Sequence, residues 1–69
     1  MTPYTVTYDQ TDTGLIRATL HDGGRSFSGY ADKTEDGALS ALARRLSVYP
    51  MAFDPSRFPN DLKSRYLLT

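Results

Sequence analysis

The chain predicts an α+β fold: a three-stranded antiparallel β-meander packed on one α-helix, followed by a Pro-rich C-terminal segment and a short second helix. Three observations predict it. Apolar and polar residues alternate in three stretches before residue 32, an Asp22-Gly23-Gly24 turn joins the last two, and Ala38, Leu39, Leu42, Ala43 and Leu46 then recur at helical spacing.

Tyr4-Thr5-Val6-Thr7-Tyr8 alternates strictly and combines aromatic with β-branched residues, which suit a pleated, half-buried surface. It reads as the first strand. Asp9 to Gly14 is turn chemistry, because short polar side chains bond their own backbone and glycine tolerates positive φ. Leu15 to His21 and Arg25 to Ala31 are the second and third strands.

Register follows from the apolar pattern, since a one-residue slip sends every side chain to the opposite face. A two-residue loop puts Ile16, Ala18 and Leu20 on the face of Phe27, Gly29 and Ala31. For the first hairpin, placing Tyr4, Val6 and Tyr8 beside Leu20, Ala18 and Ile16 requires an odd loop, for example Gln10 to Gly14. The outer face then carries Arg17, Thr19, His21, Ser26, Ser28 and Tyr30.

Asp32 or Thr34 caps the helix, and Glu35 and Asp36 fall in its first turn, where the helix dipole favours negative charge. The apolar stripe runs on to Tyr49, and Tyr49-Pro50 ends the element. Gly37 inside it is explained either by close contact with the sheet or by a frayed first turn. Beyond it, Pro50, Pro55 and Pro59 oppose regular structure, while Met51, Phe53 and Phe58 are too apolar for a free linker. Asn60 to Leu68 can start a helix from an Asn60 or Asp61 cap; Arg65 to Thr69 as an edge strand is the alternative.

Residues 1–69 therefore read as one small domain, with a βββα core at 1–49 and an extension at 50–69. A core of this size leaves net stability of only about a few kcal/mol. The chain has no cysteine, which removes disulfide staples, thiolate metal sites and thiol catalysis together, and suits a reducing cytoplasm. A homodimer or a stable protein complex would add the buried area that the monomer lacks. No basic leader or membrane-length apolar run stands in the sequence, so a cytoplasmic protein without membrane association is expected.

Net charge is zero but unevenly spread. Residues 1–36 hold six acids against Arg17, Arg25 and Lys33, about −3; residues 37–69 hold Arg44, Arg45, Arg57, Lys63 and Arg65 against Asp54 and Asp61, about +3. Such a chain can offer an acidic and a basic pole to different partners, although surface charges often have none. The acids also serve as caps and solubilising groups. As a patch they could mimic nucleic-acid phosphates.

Chemistry-bearing motifs are absent from the pattern. The single histidine, His21, has only Asp22 near it as a further ligand, and a catalytic base needs an oriented partner. Gly24-Arg25-Ser26-Phe27-Ser28-Gly29 lies in a hairpin, whereas a nucleophile elbow needs a strand-to-helix turn. The acids fit no calcium loop, and no phosphate loop follows the glycine pair. No catalytic, metal-binding or cofactor-binding residue is assigned.

What remains is surface. Arg44, Arg45 and Tyr49, then Arg57-Phe58 and Arg65-Tyr66, interleave basic and aromatic residues. That pattern suits single-strand stacking, and equally a small core whose arginines snorkel outward. Tyr30 among small hydroxyls is the sort of residue that anchors an interface. The sheet also leaves an open edge for strand addition by a partner or a second copy. Candidate partner-binding residues are Arg17, His21, Arg25, Tyr30, Arg44, Arg45, Arg57 and Arg65.

The run GRSFSGYADKTEDGALSALARRL, Gly24 to Leu46, resembles the last strand and second helix of double-stranded-RNA-binding domains, and is similar to the end of HicB-like antitoxin domains. The first resemblance implies lysines at the start of the helix; this chain has Lys33 followed by Thr34, Glu35, Asp36 and Gly37. In size and fold the chain also resembles small phage inhibitors such as anti-CRISPR proteins. The expected function is a non-enzymatic protein-binding module, an inhibitor that occludes a partner surface. The alternative is a nucleic-acid-binding domain that uses the basic C-terminal half.

Overall fold

The computed structural model describes residues 2–50 and 52–67. The packing expected of Met51 and the end of the C-terminal segment at Leu68 and Thr69 lie outside them. Three strands, β1 (Thr5–Gln10), β2 (Ile16–Asp22) and β3 (Arg25–Ser28), form an antiparallel sheet in the order β1-β2-β3. Helix α1 (Glu35–Val48) follows, then a 3₁₀ turn at Pro55–Arg57 and helix α2 (Asn60–Leu67). The fold is α+β, as the apolar patterning predicts, and the helical alternative holds for residues 60–67.

The first hairpin keeps the predicted faces but shifts its pairs. Val6 faces Leu20 and Tyr8 faces Ala18, two residues along from the expected partners, and Asp9 and Gln10 continue the strand. The cause lies in Thr11. Its backbone pairs with Leu15 (N···O 2.7 Å) and its hydroxyl accepts the Leu15 N–H at 3.2 Å, while Gly14 supplies the left-handed turn with φ +81°. The loop is thus 11–15, odd as required.

The second hairpin has the predicted two-residue loop, with Asp22 opposite Arg25 and Leu20 opposite Phe27. β3 stops three residues short of Ala31. After Gly29 donates to the Ala18 carbonyl at 3.1 Å, the register slips by one residue, and Ile16 bridges Asp32 where Ala31 would continue the ladder. Gly29 is also where α1 crosses the sheet: a β-carbon there would lie 2.5 Å from the Leu42 Cα. Only glycine fits that approach.

Thr34, not Asp32, caps α1, accepting the Gly37 N–H at 3.0 Å. Asp32 instead reaches over the first helical turn, and a β-carbon on Gly37 would stand 2.3 Å from its Oδ2. The neighbour that a β-carbon on Gly37 would meet is thus a movable carboxylate of the capping loop, not the sheet. Ala38, Leu39, Leu42, Ala43 and Leu46 bury against Ala18 and Leu20, with Ile16 and Phe27 packed at the margin. Both helices lie on that inner side.

The extension docks through aromatic rings. Tyr4, Phe53, Phe58 and Leu62 belong to the same core as Leu20 and Leu42. The Tyr4 ring meets Phe53 edge-on at 5.7 Å and Phe58 at 6.0 Å, and its hydroxyl accepts the Asp54 N–H at 3.1 Å. Tyr4 N–H donates to the Arg57 carbonyl at 2.8 Å. Burial of these apolar surfaces holds the Pro-rich segment in place of the backbone bonds proline cannot make.

Candidate protein-interaction surface

The candidate residues fall on three surfaces, and most of the arginines prove to be tied to their own chain. On the outer sheet face Arg17 pairs with Asp9 at 2.7 Å across the β1–β2 ladder, and Thr19 shares a hydrogen bond with Ser28 at 2.8 Å. His21 Nε2 lies 2.7 Å from the Thr7 hydroxyl, a contact that sequence spacing did not reveal because it depends on the first hairpin's register. A hydroxyl beside an imidazole is half of a catalytic arrangement; the other half is an acid that orients the ring. The neighbouring Asp22 carboxylate is occupied by Arg25 at 2.6 Å and approached by Arg57 at 3.8 Å.

Arg25 and Arg57 clamp the extension. Arg25 donates to the Ala52 carbonyl at 3.1 Å, with its guanidinium 4.5 Å from the Phe53 ring centroid. Arg57 donates to the Thr2 carbonyl at 2.7 Å. Arg65 joins α2 to α1 through the Asp36 carboxylate and the Ser40 hydroxyl. Two contacts join the sequence's acidic and basic halves: Asp36 meets Arg65, and Asp22, already paired with Arg25, is approached by Arg57. Phe58 is buried and Tyr66 packs edge-on against it at 5.1 Å, so the Arg57-Phe58 pair offers no stacking face.

The third surface is different. At the β3 margin the Arg45 side chain donates to the Ser28 carbonyl at 2.6 Å, and its guanidinium lies 4.9 Å from the Phe27 ring and 5.4 Å from the Tyr30 ring. Tyr49 meets Phe27 edge-on at 5.8 Å. The register slip after Ser28 turns Tyr30 off the outer hydroxyl row and onto this margin beside α1. Tyr30 is 72% exposed, Val48 68% and Tyr49 50%, and exposed Arg44 stands nearby on the helix. Aromatic residues and arginine thus meet in one solvent-facing patch, and Arg45, bonded to the strand, holds its centre.

No family model, curated protein or solved structure matches the chain.

Among the described residues two titrating groups are shifted, and neither belongs to this patch. The Tyr8 phenol is pushed above its ordinary value, first by burial, then by Glu35 and Asp61, with Arg65 opposing. The Asp54 carboxyl is held below the usual carboxylate range by hydrogen bonds from the Ser56 hydroxyl and N–H. Among the described residues no cluster of three histidines, cysteines or carboxylates could hold a metal ion, and no helix is long and apolar enough to cross a membrane.

Proposed function

We propose that the chain is a non-enzymatic protein-binding module that occludes a partner's surface with the Tyr30–Arg45–Tyr49 patch. The observation that carries this reading is Tyr30: a large ring that is 72% exposed yet positioned by an arginine already bonded to the sheet. Exposing such a ring gives the free chain nothing, whereas a rigid aromatic anchor loses little conformational entropy when a partner covers it. Tyrosine and arginine are also the residue types that dominate interface energetics. The internal pairing of Arg57 and Arg65 weakens the case for the basic C-terminal half as a nucleic-acid surface.

Affinity capture from a host lysate with the natural chain and with Tyr30→Ala tests it. Tyr30 makes no core contact, so the variant keeps its melting temperature while its affinity for the captured protein falls by about thirtyfold, the size of an interface hot spot. Equal capture by both proteins removes the patch. Binding to duplex or single-stranded nucleic acid that weakens steeply with salt, and is indifferent to Tyr30, replaces the proposal with the nucleic-acid reading.

A further inference from the structure

The opposite edge of the sheet carries a second opportunity, independent of the Tyr30 patch. Gly29 bonds Ala18, so the even-numbered residues of β2 aim their backbone groups at β3 and the odd-numbered ones at β1. Their β1 partners are Thr5, Thr7 and Asp9. Val6, Tyr8 and Gln10 consequently aim their N–H and C=O groups away from the sheet. The direction is visible in Tyr4, whose N–H already takes the Arg57 carbonyl at 2.8 Å on that same side. One rung of a fourth strand exists; the next rungs are open among the described residues.

The open rungs border a groove rather than flat solvent. A depression of 320 Å³ runs between β1 and α2, floored by Val6, Leu39 and Leu62 and lipped by Asp61. Tyr8 also lines an adjoining depression of 300 Å³ bordered by Glu35. Glu35 and Asp61 border these depressions, and the arginine that also acts on Tyr8, Arg65, is committed to Asp36 and Ser40. The lip is therefore acidic.

We propose that the β1 edge accepts a fourth strand from another protein, an extended segment whose groove-facing residues, every second one along the strand, include both apolar and lysine or arginine side chains. Backbone bonds to Val6, Tyr8 and Gln10 supply the pairing, while on the groove-facing side of the segment the apolar side chains meet Val6 and Leu62 and the basic ones meet Glu35 and Asp61. Symmetric pairing with a second copy would set two acidic lips against each other, which disfavours a homodimer through this edge.

The test uses the full chain and two blocked hexapeptides, Thr-Lys-Thr-Val-Thr-Lys and Thr-Glu-Thr-Val-Thr-Glu, which carry their charged and apolar residues on one face, followed by amide NMR and hydrogen exchange. The lysine peptide is expected to protect the Val6, Tyr8 and Gln10 amides and leave Thr5, Thr7 and Asp9, already bonded to β2, unchanged. Glu35→Gln combined with Asp61→Asn weakens its binding by about fivefold to tenfold, as two partly screened charges should. Equal binding of both peptides, protection confined to other residues, no binding, or β1 protection that grows with protein concentration alone would overturn the proposal. The last result would mark the edge as a site for a second copy. None of these outcomes bears on Tyr30.

Discussion

The guanidinium carbon of Arg57 lies 4.2 Å from the centroid of the Tyr4 ring, so a residue from the 3₁₀ turn caps an aromatic from the start of the first strand. Chain positions more than fifty residues apart are thereby joined at one point, with Phe53 and Phe58 on the ring's other contacts. Tyr4→Ala is expected to cost about 3–5 kcal/mol, the usual cost of deleting a buried ring, and in a domain of this size that approaches total stability. Tyr4→Phe keeps the ring and removes the hydroxyl that accepts the Asp54 N–H and, at 3.5 Å, an Arg57 N–H, for about 0.5–1.5 kcal/mol. Urea unfolding separates the two; a Tyr4→Ala loss no larger than that of Tyr4→Phe would show that the aromatic docking contributes little.

Two glycines in one hairpin should behave oppositely. Gly29→Ala drives a β-carbon into the Leu42 backbone, which cannot rotate aside as a side chain would, and α1 must move off the sheet. A loss of about 1–3 kcal/mol follows. Gly24 has open space around the added carbon and no positive φ, so Gly24→Ala is expected to be neutral or to add about 0.4–1 kcal/mol by restricting the unfolded chain. Thermal melts of the pair read both signs, and equal effects would contradict the close approach at Gly29.

Stability should fall at both pH extremes through identifiable groups. The Asp54 carboxyl is lowered in the folded chain, so its contribution is present above the unfolded value of 3.8 and is lost as pH falls through the folded one. Tyr8 is raised, so its contribution is present below 10.0 and is lost as pH climbs from there through the folded value. Asp54→Asn flattens the acid limb, and Tyr8→Phe the alkaline limb. Chemical unfolding across pH, with NMR titration of each group, checks the assignment; unchanged limbs in the variants would refute it.

The elements were legible because they rest on local rules. Alternation places Val6, Leu20 and Phe27 on one face whichever rung they occupy, and the Asp22-Gly23-Gly24 turn fixes the second register through loop length alone. Thr34 and the apolar stripe set α1 in the same way. Side-chain bonding inside the first loop was less legible: Thr11 shifted the pairing by two residues without changing the faces, which periodicity cannot detect.

The candidate surface was legible in part. Tyr30 stands out as an aromatic among hydroxyls, but its arginine partner sits fifteen residues away on another element. The eight candidate residues look alike as a list of charges and rings. In space Arg25, Arg57 and Arg65 are clamps, Arg17 and His21 belong to the outer hydroxyl face, and Arg45 orders Tyr30.

Sequence by itself determined the order of the three strands and the first helix, their buried faces and the absence of thiol chemistry, since periodicity, turn residues and composition act over a few positions or over the whole chain. Tertiary structure alone decided which charges cancel, which strand edge stays open and which ring faces water. Those outcomes depend on distances between residues far apart in the chain, set only when Gly29 lets the helix settle onto the sheet and the Tyr4 cluster draws the extension across it.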